Sequence, residues 1–173
     1  MNTVTGERAD LLGMLDGQRA MLRRALRDLD DSQIRRRTTV SELTLGWVLK
    51  HVTEVERNWT DFIVDRYDRG DELPEPVDWT DAALPQGNHV RDGETLAGLL
   101  AAYDETARRT DETIAALADL DRRMLLPEAP WNEPGASWSA REVLLWMVRE
   151  TAHHSGHADI IRESLDGAKT MSF

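Results

Sequence analysis

The chain has 173 residues, 40% hydrophobic and 31% charged, which is the make-up of a globular protein with enough apolar material for a core. Thirty-two acidic residues against 21 basic ones give a formal net charge of −11, which repels phosphate backbones and anionic membrane surfaces, so no nucleic-acid and no membrane partner is expected. There is no Cys, hence no disulfide, no thiolate metal site and no sulfur nucleophile belonging to the chain.

The first ten residues are polar and lack the apolar stretch of a signal peptide. No apolar run approaches the roughly 20 residues of a membrane span. A cytoplasmic protein made of one domain, residues 1–173, is the expectation. A first helix is predicted from about Thr5 to Leu29, with Leu11, Leu15, Gln18, Leu22, Leu26 and Leu29 in one stripe and Arg8, Arg19, Arg23 and Arg27 on a solvated face. Arg35, Arg36 and Arg37 then read as a solvated linker rather than an anion site.

A second helix begins between Ser41 and Thr44 and runs to about Tyr67. Trp47, His51, Val55, Asn58 and Phe62 share the face expected to be buried, flanked by Val48, Val52 and Trp59. From Arg69 to Asp92 the chain is rich in Pro, Gly and Asp, including Pro74, Pro76, Pro85 and Gly87-Asn88, which predicts a long crossing connection. A third helix spans about Glu94 to Leu120, with Leu96, Leu99, Tyr103, Ala107, Thr110, Ile114 and Leu117 at helical spacing. After a loop over Pro127–Trp138, Ser139 and Glu142 form a capping-box signature that opens a fourth helix to about Leu165, with Gly167 as its stop. No strand-type alternation of useful length is visible. The expected architecture is all-α, a four-helix bundle with a long crossover connection.

The chemistry concentrates on the fourth helix. Its apolar seam, Val143, Met147, Glu150, His154, Ala158, Ile161 and Leu165, carries a carboxylate and an imidazole one turn apart. A buried ionised carboxylate needs a strong partner. Two readings compete: a hydrogen-bonded Glu–His pair, or two ligands of one cation. His51 sits in the same way between Trp47 and Val55, and taken alone reads as a hydrogen-bonded core histidine. Together the three supply N/O donors of the type zinc accepts, leaving a position for water or substrate. His157, one turn beyond His154, is a rival ligand or an orienting partner, whereas His153 reads as packing or surface and His89 as an ordinary loop residue. Glu54, one turn past His51, is either a solvated glutamate or a general base, and Glu56 reads as solvated. Asp159 and Arg162 are expected to pair with neighbours.

The segments Ser41–Arg57, with His51, and Glu150–Glu163, with Glu150-Thr-Ala-His-His-Ser-Gly-His157, resemble the DinB-like superfamily, closest to its mycothiol-dependent branch of maleylpyruvate isomerase metal-binding domains and mycothiol S-transferases. The resemblance covers most of the chain. It implies a four-helix bundle with one divalent metal, zinc most often and nickel in some members, bound in this branch by His and Glu-x-x-x-His: here His51, Glu150 and His154, with His153 and His157 outside the ligand set. It implies a low-molecular-weight thiol such as mycothiol as co-substrate, attacking an electrophilic substrate, with Glu54 or a water as proton acceptor. The chain offers no room for the additional C-terminal domain of maleylpyruvate isomerase, so a stand-alone S-transferase is the nearer analogue. A metal-dependent hydrolase of amides or esters, or a non-catalytic metal-stabilised stress-response bundle, fits the same ligands. Apolar outer faces suggest a homodimer.

Overall fold

The computed structural model describes residues 6–69, 72 and 89–171. Most of the Pro/Gly-rich connection, with Pro74, Pro76, Pro85 and Gly87-Asn88, lies outside the described residues. Helix α1 spans Glu7–Ala25, α2 Leu45–Arg66, α3 Leu96–Ala116 and α4 Ala140–Asp166. Strands β1 (Arg123–Leu125) and β2 (Ser137–Ser139) form a small antiparallel hairpin between α3 and α4.

Helices α2, α3 and α4 each start at a side-chain cap, whereas α1 follows Gly6 without one. Thr44 accepts a hydrogen bond from the Trp47 amide, and Thr95 accepts one from Gly98. Ser139 and Glu142 close the expected capping box, and Gly167 takes the left-handed conformation (φ 80°) that lets α4 stop. The third helix is shorter than its periodicity suggested. Glu94 stays outside it and binds Lys50 Nζ and the Arg91 amide instead. The C-terminal end gives way to extended backbone at Leu117, and the Tyr67 hydroxyl holds the Asp119 amide and carbonyl beyond it.

Side-chain bridges fix the helix directions. Arg141 at the start of α4 pairs with Glu7 at the start of α1, while Arg162 near the end of α4 donates to the Ala25 and Arg27 carbonyls. Helices α1 and α4 are therefore parallel. Lys50–Glu94 and Asp61–Arg109 tie matching ends of α2 and α3, which are also parallel. Arg23–Asp104 and Arg19–Asp111 run α1 antiparallel to α3. Parallel neighbours demand a return path: after α2 the chain must travel back about 33 Å, a 22-residue helix at ~1.5 Å per residue, before α3 begins. The length of the connection follows from that. Arg35 anchors its far end by donating to the Val90, Arg91 and Glu94 carbonyls, so this arginine ties the connection down rather than sitting in a solvated linker.

The core is split. One apolar cluster gathers Leu22, Leu26, Ile34, Leu45, Leu49, Tyr103 and Ile161; the other gathers Leu15, Ile63, Ile114, Met124, Leu144 and Met147. Between them lies a polar layer. Arg19, assigned to a solvated face by its spacing, is fully buried, and Glu56, read as solvated, is 1% exposed. They form a two-point ion pair, Nη2–Oε1 2.5 Å and Nε–Oε2 3.2 Å. Burial works against the Arg19 charge, but the hydrogen bond and attraction of Glu56 outweigh it and raise the guanidinium pKa. Thr60 and Thr110 share a 2.8 Å hydroxyl contact in the same layer.

Candidate metal centre

Helix α2 faces the bundle centre through Leu45, Val48, Leu49, Val52 and Glu56, not through the stripe from Trp47 to Phe62. That stripe is turned toward the seam with α4, where His51 is 24% and Glu150 20% exposed at the side chain, and Asn58 is exposed. The rotation leaves His51 reachable by solvent. On α4 the predicted seam holds: Val143, Met147, His154, Ala158 and Ile161 are buried, with Glu150 partly so.

The structure brings His51, Glu150 and His154 together, with one donor atom from each within 4.8 Å of the other two. Glu150 Oε1 lies 3.2 Å from His51 Nε2 and 3.3 Å from His154 Nε2. Two donors each about 2.1 Å from a tetrahedral ion stand about 3.4 Å apart, so these spacings match the edges of such a site. The donor set, two imidazole nitrogens and a carboxylate, is one that divalent zinc or nickel accepts.

Local packing aims each ring. Trp47, one turn before His51, stacks on it at 4.8 Å with 16° between planes. His154 is held at its other nitrogen: its Nδ1 lies 3.4 Å from Nδ1 of His157. Burial, and after it the neighbouring His51, pushes the His154 pKa down from 6.5 to about 4, while Glu150 pulls the other way. The imidazole is neutral at pH 7, as a metal ligand must be.

The remaining candidates separate. His157 touches His154 from behind and His153, exposed, packs edge-on against His157 at 4.4 Å. His89 is exposed and its carbonyl accepts from Lys50. Glu54 lines a cleft on the α3 side of α2 with Lys50, Arg57 and Arg91 and is not among the clustered donors. Arg162 pairs with Asp166, and Asp159 accepts from the Thr170 amide, as neighbours expected of them. Among the described residues no helix is long and apolar enough to cross a membrane.

Four helices with parallel neighbours and a His/Glu/His cluster between α2 and α4 define a helical bundle with a candidate metal centre on one seam. The model of the mycothiol S-transferase family matches residues 10–167, and the chain belongs to that family. Among solved structures, YfiT from Bacillus subtilis, described as "a probable metal-dependent hydrolase with an unusual four-helix bundle topology", is similar with a TM-score of 0.67 and 18% identity over 93% of this chain and 89% of that one. A conserved protein from Enterococcus faecalis gives a TM-score of 0.66 and 13% identity over 95% of this chain and 100% of that one. At these identities the likeness shows the fold. A search of curated proteins gave no match.

Proposed function

We propose that the protein is a metal-dependent thiol S-transferase, with His51, Glu150 and His154 holding one divalent ion, zinc or nickel, and a low-molecular-weight thiol such as mycothiol as co-substrate. The observation that carries this reading is the convergence of three N/O donors, at metal-ligand spacing, in a chain of the mycothiol S-transferase family. The ion would act as a Lewis acid that favours the thiolate of a bound thiol near neutral pH.

The chain's own residues hold and orient. Glu150 supplies the negative charge that offsets a dication, Trp47 fixes the plane of His51, and His157 fixes the ring of His154. With no Cys in the chain, the attacking sulfur belongs to the co-substrate. The thiol gives up its proton, a C–S bond forms at the electrophilic carbon, and the bond to the leaving group breaks with its electron pair. Water at the solvent-reachable His51 seam takes the thiol proton, with Glu54, at i+3 from His51 but lining the cleft on the α3 side of α2, as the alternative acceptor; a fall in kcat in Glu54→Gln with the metal content unchanged would assign it.

The test is elemental analysis of the purified protein together with an assay using mycothiol or bacillithiol and a generic electrophile. About one equivalent of metal, lost in His51→Ala, and a metal-dependent rate above background are expected. Turnover that needs water but no thiol would move the assignment to a hydrolase, the description carried by YfiT. One bound metal with neither activity would leave a metal-stabilised bundle.

A further inference from the structure

A groove of about 500 Å³ opens on the seam that carries the candidate metal centre, between α2, the hairpin and the start of α4. Its walls are aromatic. Trp59 and Trp138 stack at 4.9 Å and 23°, Trp138 meets Trp146 at 5.4 Å, and Phe62 stands edge-on to Trp59 at 5.4 Å. Asn58 and Asn132 add two carboxamides. Among the described residues, none of the side chains lining the groove is ionisable.

Position links it to the histidine cluster. Trp146 precedes Glu150 by one turn on α4, and Asn58 follows His51 by two turns on α2. At ~1.5 Å of rise per residue these offsets are about 6 and 10 Å along antiparallel helices, so both walls run away from the ligands in the same direction. A two-ring molecule is about that long.

We infer that this groove binds an uncharged, flat, aromatic small molecule, and that this is the acceptor on which the centre acts. The second half of the statement rests on the transferase reading; the first half does not. Stacked indoles reward a flat π-face, and a volume of this size suits a small organic ligand with a few orienting polar groups. A carboxylate or ammonium entering the groove would shed its hydration with no opposite charge among the lining side chains; the Arg149 guanidinium, 4.5 Å over the Trp146 ring, belongs to an exposed residue outside that lining. The protein's net charge of −11 further disfavours anions.

The experiment is calorimetric titration of the full-length protein with 2-naphthol and with 2-naphthoate, which share a ring system and differ in charge at pH 7. One-to-one binding of 2-naphthol, about tenfold or more tighter than 2-naphthoate, is expected. Asn58→Trp fills the groove from an exposed helical position and should weaken 2-naphthol binding about tenfold or more while leaving the melting curve in place. Trp146→Leu should weaken it in the same direction by removing one wall. His51→Ala, without the metal, should keep the naphthol affinity, so the groove is read even if no transferase activity exists. Equal affinity for the two probes, no saturable heat, or binding indifferent to Asn58→Trp and Trp146→Leu would overturn the inference. In an active enzyme, Trp146→Leu should raise the KM for aromatic electrophiles and leave that for the thiol unchanged.

Discussion

The Nδ1 atoms of His154 and His157 lie 3.4 Å apart, on the side of the His154 ring away from Glu150. If His154 gives Nε2 to a metal, its proton sits on Nδ1 and is donated to Nδ1 of His157, whose own proton must then be on Nε2. One contact thus sets two tautomers. Removing it with His157→Ala should weaken metal binding by about 10–100-fold, as loss of an orienting partner does. His153→Ala removes an exposed ring that meets His154 and His157 edge-on and takes no part in the Nδ1 contact, and should leave affinity within about twofold. Competition with a chromogenic chelator measures both.

The low pKa of His154 predicts an acid-sensitive apo-protein. The unfolded histidine takes up its proton near 6.5, the folded one only near 4. Between those values the unfolded state binds more protons, so stability falls as pH drops from about 6.5 to about 4 and levels off below. Above 6.5 this group contributes no slope. Urea unfolding of metal-free protein across that range checks the sign, and His154→Gln should flatten the curve.

Arg19 and Glu56 predict an asymmetric mutational result. Glu56→Ala leaves a guanidinium stranded in the interior, with Asp111 as its remaining charge partner, and should cost about 3–5 kcal/mol. The double variant Arg19→Met, Glu56→Leu removes both charges and should recover most of that loss. Denaturant midpoints of Arg19→Met, of Glu56→Leu and of the double variant give the coupling. Additive losses would count against the pair as described.

Two glycines should respond oppositely to alanine. A Cβ on Gly46 would overlap Val90 Cγ2 and stand 3.1 Å from the Ile34 carbonyl oxygen, so Gly46→Ala should destabilise by about 1–3 kcal/mol and loosen the end of the long connection from α2. A Cβ on Gly17 meets nothing within 4 Å on an exposed helical turn, and Gly17→Ala should stabilise by about 0.5–1 kcal/mol. Thermal melts of the two variants suffice.

What could be read from the sequence was local or periodic. Ser139 with Glu142, Gly167, and the α4 seam through Glu150 and His154 are patterns within a turn or two, and the structure carries them out. Arg19 is different. Its helix spacing puts it opposite the leucine stripe, and only partners 37 and 92 residues away explain its burial. Glu56 shares that fate. The β1–β2 hairpin escaped because three-residue strands are too short to show alternation. On α2, apolar residues on adjoining faces left the orientation ambiguous by about one residue, or ~100°. That difference turned His51 from an interior histidine into one at the solvent-reachable seam.

The first donor of the cluster, His51, and the next, Glu150, stand 99 residues apart in the chain. A nascent polypeptide that has emerged only through its third helix therefore presents one donor of the three, too little to retain an ion. An ion held by all three would be captured only once the final helix docks, and lost as soon as it leaves. Metal occupancy would then double as a record of completed folding, with a half-made chain unable to sequester ions from the cell.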